Sequence, residues 1–314
     1  MKLAKHLFLI AFILLCTNAM CAEKSSNINR VLMNMNTDWG FYRGDVQNGQ
    51  TRTLDDSKWI AAVVPHIMQL EEKHCGGDNI YKGIGWYRRH FTLDKSYSDK
   101  KIYVDFEGVM SSCHLFINGK EIGSHYGGYV GFSVDLTDYI EWGKDNVLAV
   151  RVSAEYDPLT PPGKPQGNLD FYYYSGIYRD VTMTITDKLH ITDPLTADQV
   201  AGGGVFVTFP EVTKEKATVD VKTHIENCYN HAVNGKITTQ IIDTDGRCVG
   251  SDSKEIAIMA GKNIHAIQNI EVLNPKLWHP YNPNRYQLIS QLMINNRVVD
   301  KTTTMIGIRT IKQT

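Results

Sequence analysis

Asp170 follows a proline-rich stretch, Pro158 to Asn168, and opens the run Asp-Phe-Tyr-Tyr-Tyr-Ser-Gly-Ile-Tyr-Arg-Asp that ends at Asp180. An ionised carboxylate accepts several hydrogen bonds at once. A tyrosine ring offers an apolar face and a polar tip. A sugar presents the complementary surface, apolar C–H faces with a hydroxyl rim, so these residue types suit carbohydrate. Long ordered loops in compact domains also carry function more often than their share. The same residues have ordinary uses. Asp caps turns, and Tyr and Trp line β-sheets. Aromatic–glycine segments recur at Trp39-Gly-Phe-Tyr42, Gly83-Ile-Gly-Trp-Tyr-Arg-Arg89 and Tyr126-Gly-Gly-Tyr129. Taken singly, each aromatic reads as core or sheet lining. Arg88 and Arg89 read as ion-pair formers across a sheet, and Arg179 and Asp180 as partners in local or cross-strand pairs.

The elements around these residues are strands. Ile102, Val104 and Phe106 alternate with polar neighbours, as do Leu115 and Ile117, then Leu148, Val150 and Val152, then Val181, Met183 and Ile185. Period two is the mark of a strand with one buried face. Asn118-Gly119 predicts a tight hairpin, because both residues tolerate positive φ. Asp193-Pro194 and Gly202 to Gly204 punctuate the chain. No Lys-Ser/Thr pair follows the glycines, so they read as a turn and not as a phosphate loop. A second series then begins. Val219, Val221, Thr223 and Ile225 share one face, Ile237 to Ile242 leads to a hairpin signal at Asp245-Gly246, and 264–272 and 286–294 are further strands. The expectation is an all-β chain, with an immunoglobulin-like β-sandwich as its second half. Little Gly, Ser or Pro separates the halves, so they are expected to pack together.

The chain has 314 residues, 42% hydrophobic and 21% charged, with net charge −1. That balance gives no electrostatic footprint for nucleic acid. Lys2, Lys5 and the apolar run Leu7 to Leu15 read as a signal peptide over 1–21, too short to span a bilayer. Leu15 and Met20 are large for the position before a lipid-modified cysteine, so the expectation is export to the periplasm or beyond, with no membrane insertion after cleavage. Cys75, Cys113, Cys228 and Cys248 remain, and Cys228 with Cys248 is the one pairing worth considering. No C-x-x-C or H-x-x-x-H occurs, so no metal site and no cofactor are expected.

The motifs, in order, resemble glycoside hydrolase family 2, the β-galactosidases, β-glucuronidases and β-mannosidases. Trp39-Gly-Phe41 with Gly44-Asp45, Trp59, Pro65-His66 (with Ile67 where the family has Asp), Gly85-Trp-Tyr-Arg-Arg-His-Phe91 and Phe106-Glu-Gly-Val109 come first. Ile117-Asn-Gly-Lys120, Gly127-Gly-Tyr129, Asp135-Leu-Thr137 and Ser175-Gly-Ile-Tyr-Arg-Asp180 follow. Leu277-Trp-His-Pro-Tyr-Asn-Pro283 and Gly307-Ile-Arg309 close the series. The resemblance implies a galactose-binding-like jelly roll over 28–186, an immunoglobulin-like sandwich over 187–309, and 310–314 as a stub leading towards a (β/α)8 barrel. It assigns glycone binding to Asp170 and a second loop contact to Asn79, with one of Tyr172 to Tyr174 beside the pocket and the other tyrosines lining the sheet. Retaining hydrolysis needs two carboxylates about 5–5.5 Å apart. The family holds both glutamates on the barrel, one of them in an Asn-Glu pair that does not occur here. The expected catalytic residues are therefore none. The expected partners are a β-glycoside or oligosaccharide and a separate barrel chain or a second copy, with an autonomous carbohydrate-binding module as the alternative function.

Overall fold

A computed structural model describes residues 30–69, 81–169, 171 and 173–311. Twelve strands come first in the chain: β1 (Val31–Asn34), β2 (Trp39–Arg43), β3 (Ile60–Ala62), β4 (Ile84–Thr92), β5 (Lys101–Phe106), β6 (Val109–Met110), β7 (Ser112–Ile117), β8 (Lys120–Tyr126), β9 (Phe132–Asp135), β10 (Asp145–Ser153), β11 (Gly176–Ile177) and β12 (Val181–Thr186). Ten follow: β13 (Leu189–Ile191), β14 (Val205–Val212), β15 (Lys216–Asn227), β16 (Val233–Ile242), β17 (Cys248–Ile258), β18 (Asn263–Leu273), β19 (Trp278–His279), β20 (Asn282–Pro283), β21 (Tyr286–Ile294) and β22 (Arg297–Ile306). Among the described residues there is no α-helix.

The first twelve build a jelly roll. Sheet β1-β12-β5-β9 faces sheet β3-β2-β4-β10-β7-β8, and every pairing is antiparallel. Ile102, Val104 and Phe106 of β5 meet Leu115, Ile117, Leu148 and Val150 of the other sheet in one core. Trp39, Phe41 and Tyr87 join that core, while Trp86 packs on the opposite face of β4 with Ala149. Asn118 and Gly119 turn β7 into β8 with φ of 51° and 87°, the mirror-image turn that matches strand twist.

The second domain is a sandwich of β13, β14 and β18 around β15 against β17-β16-β21-β22. Ala217, Val219, Val221, Thr223 and Ile225 all point inward from β15. Its apolar core is split in two, with a buried polar group between the sheets. The Thr239 hydroxyl donates to Gln268 Oε1 at 2.7 Å, Gln268 Nε2 donates to the Asp252 carbonyl, and Ser290 lies 3.3 Å from Thr239. Gly246 (φ 80°) closes the β16–β17 hairpin, with its N–H on the Asp243 carbonyl. Gly202 to Gly204 form a turn.

The junction between the domains is packed. Asp187, the residue after β12, is buried and accepts from Lys100 Nζ at 2.9 Å and from the Tyr229 hydroxyl at 2.7 Å. Arg30 reaches across to Asp300 on β22, and the same carboxylate accepts the Ile191 N–H. The structure answers two questions raised by the sequence. Cys228 and Cys248 are both free thiols, not a disulfide. Arg179 and Asp180 have separate partners: Asp180 accepts from Asn36, and the Arg179 guanidinium lies over the Tyr178 ring.

Candidate functional site

Three of the sequence motifs converge at one end of the jelly roll. His66 N–H donates to the Ile177 carbonyl at 2.7 Å, and Met68 N–H donates to the Ser175 carbonyl at 2.8 Å. These two bonds tie the segment entering residues 70–80 to the segment leaving residue 170. Tyr87, from the middle of β4, stands behind the joint with its hydroxyl 2.9 Å from His66 Nδ1. Burial lowers the His66 pKa, so the ring is held neutral. Burial likewise raises the Tyr87 pKa and keeps it a phenol.

Two glycines allow the close fit. A Cβ on Gly176 (φ +136°) would stand 2.5 Å from the His66 carbonyl oxygen and 2.7 Å from Tyr87 Oη. A Cβ on Gly85 would stand 2.3 Å from Met68 Sδ. Real carbon contacts do not come that near, so the glycines in Ser-Gly-Ile and Gly-Trp-Tyr are required by packing.

Beside this joint is a cavity of about 120 Å3, lined by Tyr81, Lys82, Ala154, Tyr156, Pro165, Tyr173 and Ser175. Its walls come from three places: the entry to β4, the chain leaving β10, and the segment before β11. Tyr81 is fixed by donating its hydroxyl to the Ile84 carbonyl at 2.8 Å, and Arg43 stands 5.7 Å over its ring. Burial, with Tyr129 and Tyr156 nearby, raises the Tyr173 pKa and keeps it protonated. The cavity offers three tyrosine rings and polar side-chain tips, but no lining residue carries a carboxyl group, so the lining cannot act as a pair of acids. Complete small-molecule sites usually enclose about 300–1,000 Å3. The cavity is therefore a subsite, sized for part of a ligand. Among the described residues no cluster of His, Cys, Asp or Glu is arranged to hold a metal.

Asp170 and Asn79, the two substrate-binding residues expected from sequence, lie outside the described residues, as does Tyr172. Tyr173 lines the cavity. Neither it nor Tyr174 belongs to a strand. Tyr81, Lys82 and Tyr156 were not singled out from sequence. Tyr156 carried a usable signal, standing two residues before Pro158 at the mouth of the proline-rich loop.

Residues 67–187 match the model of the glycosyl hydrolases family 2 sugar binding domain, and residues 204–309 match the model described as glycosyl hydrolases family 2. The chain belongs to glycoside hydrolase family 2. All residues lining the cavity fall within the sugar-binding match. A β-glucuronidase from Formosa agariphila is 31% identical over 300 residues, which cover 91% of this chain and 30% of the relative. A β-galactosidase from Thermoanaerobacter pseudethanolicus is 31% identical over 287 residues, covering 91% and 36%. The solved structure of a glycosyl hydrolase family 2 member from Bacteroides cellulosilyticus superposes with a TM-score of 0.79 at 30% identity, covering 90% of this chain and 37% of that one. The chain thus spans 30% and 36% of the length of the two enzymes it matches, and corresponds to their N-terminal part.

Proposed function

We propose that these two domains are the non-catalytic sugar-binding portion of a family 2 β-glycosidase of β-galactosidase type, and that they bind and orient the sugar while a catalytic domain supplies the two acids. The observation that carries this reading is the tyrosine-lined cavity set against the bonded joint of the Pro-His and Ser-Gly-Ile segments. Asp170 and Asn79 are both assigned to hydroxyl groups of the glycone, as the family resemblance implies. The assignment of Asp170 favours galactoside over glucuronide or mannoside. Hydrolysis of the β-glycosidic bond belongs to the assembled enzyme. Its catalytic domain would come from the same polypeptide or from a separate chain, and a second copy of this chain is a further candidate partner. Export rests on the leader read over 1–21, and N-terminal sequencing of protein recovered from outside the cytoplasm tests it.

A subsite this small leaves most of the ligand's contacts to the catalytic domain, so affinity for a galactoside is expected at millimolar or weaker. NMR titration of the 314-residue chain with methyl β-galactoside is the test. Shifts should centre on Tyr81, Tyr156 and Tyr173, and Asp170→Ala and Tyr173→Ala should each remove them. Aryl β-galactoside should not be turned over by the purified chain. Turnover that survives contaminant controls, or shifts confined to a different surface, overturns the proposal. Micromolar binding abolished by Asp170→Ala would instead make the chain an autonomous carbohydrate-binding module.

A further inference from the structure

A second concavity lies next to the first and has different chemistry. It is an open groove of about 760 Å3 beside the β2–β3 hairpin at the edge of the six-stranded sheet. Tyr42, Arg43, Lys58, Trp59, Ile60 and His66 are among the residues that line it. The Tyr42 and Trp59 rings stand 5.6 Å apart, tilted by 38°. Tyr42 is 44% exposed and Ile60 64%. The Arg88 guanidinium braces Trp59 from 5.7 Å and is itself locked by Asp56 at 2.7 Å. The aromatic platform is therefore held in place and open to solvent.

The charges beside the platform are all positive. Arg30, Arg52, Arg88, Arg89 and Arg151 all have carboxylate partners. Arg43 and Lys58 make no ion pair with a described residue, and no described carboxylate lines the groove. Two cations without a counter-ion among the described residues, next to a braced Tyr–Trp pair, suit a ligand with apolar ring faces and negative charge together. These four residues precede residue 67, where the match to the sugar-binding domain begins. The groove meets the small cavity at one point, since Arg43 stands over Tyr81, which lines that cavity.

We propose that this groove binds an acidic oligosaccharide, with Tyr42 and Trp59 carrying a sugar ring and Arg43 and Lys58 taking its anionic groups. The site is distinct from the galactoside subsite and does not depend on it.

Calorimetry on the 314-residue chain, with tetragalacturonate, neutral galactotetraose of matched length, and linear tetraphosphate, provides the test. Tetragalacturonate should bind at least tenfold more tightly than galactotetraose and should weaken as NaCl is raised from about 50 to 500 mM, where charges several ångströms apart become screened. Arg43→Gln and Lys58→Gln should each cost two- to fivefold, the range of one exposed ion pair. Trp59→Ala should cost up to about tenfold, and Tyr42→Ala provides the same reading should Trp59→Ala fail to fold. Tyr173→Ala should leave tetragalacturonate binding unchanged, which separates this site from the galactoside subsite. Equal binding of the neutral tetrasaccharide, or indifference to Arg43→Gln and Lys58→Gln, overturns the proposal. Equally tight binding of tetraphosphate overturns it too, because the groove would then be a plain anion site.

Discussion

Removing the Asp300 carboxylate should loosen the junction between the two domains more than any single change on the surface of either. Its side chain is completely buried and accepts from Arg30 Nε at 3.1 Å, Arg30 Nη2 at 2.9 Å and the Ile191 N–H at 2.7 Å. Asp300→Ala leaves a guanidinium only 15% exposed without its partner and strands a buried N–H. Breaking a buried ion pair from one side costs about 3–5 kcal/mol. A stranded N–H alone costs about 1–3 kcal/mol. The two overlap, so the expected loss is about 3–5 kcal/mol, not their sum. Arg30→Ala removes two of the donors but leaves the Ile191 N–H in place, and the pair should couple in a double-mutant cycle by more than about 1 kcal/mol. Urea unfolding followed by tryptophan fluorescence gives the free energies. Limited proteolysis around 187–204 gives a second reading, with faster cleavage in both variants. An Asp300→Ala protein within about 0.5 kcal/mol of the parent would show that the buried pair contributes nothing net, and the account of a locked junction would fail.

Three further outcomes follow from the geometry. Gly176→Ala should destabilise by about 3 kcal/mol, through positive-φ strain and the Cβ clash with the His66 carbonyl. Gly123→Ala, where a Cβ meets nothing within 4 Å, is the control in the same urea assay and should be near neutral. Burial opposes the charge on His90, but hydrogen bonds to Asp145 and Asp56 outweigh it and raise its pKa. Their stabilisation is thus complete below about pH 6.5, the unfolded value, and fades as pH rises through the higher folded value. His90→Gln should flatten stability between about pH 6 and 8, and an NMR titration that finds the imidazole at or below its ordinary pKa would refute this. Burial pushes the Cys113 thiol up to about 12 and the Cys228 thiol up to about 11, whereas Cys248 is exposed. Iodoacetamide should label Cys248 in the native protein and Cys113 only after unfolding, and a non-reducing peptide map should contain no Cys228–Cys248 link.

Much of the framework was legible because it is local. Period two exposed the inward face of β5 and of β15, where even Thr223 keeps the pattern, and Asn118-Gly119 announced its hairpin through the backbone angles it permits. Interactions between distant segments were not legible. Nothing near Gly176 or Gly85 in sequence says that His66 and Met68 will press against them. The polar group of Thr239, Gln268 and Ser290 lies at the centre of the sandwich, although residue type alone would put each at the surface. The aromatic residues divided in a way that sequence could not foresee. Trp39, Phe41 and Tyr87 are core, whereas Tyr42, next to Phe41 on the same strand, is exposed because strand side chains alternate. For the candidate site, the sequence drew attention to Asp170 and its tyrosines, whereas Tyr81 and Tyr156 needed the fold to bring them together.

Arg30 and Asp300 are 270 positions apart in the chain. At about 5–20 residues per second on the ribosome, the arginine waits roughly 15–50 s for its acid to be made. The jelly roll must hold its shape through that interval on its own interior, and it has one that draws nothing from the sandwich. Joining the two halves therefore comes only after the second has been made, and an error there would leave both halves folded but misaligned.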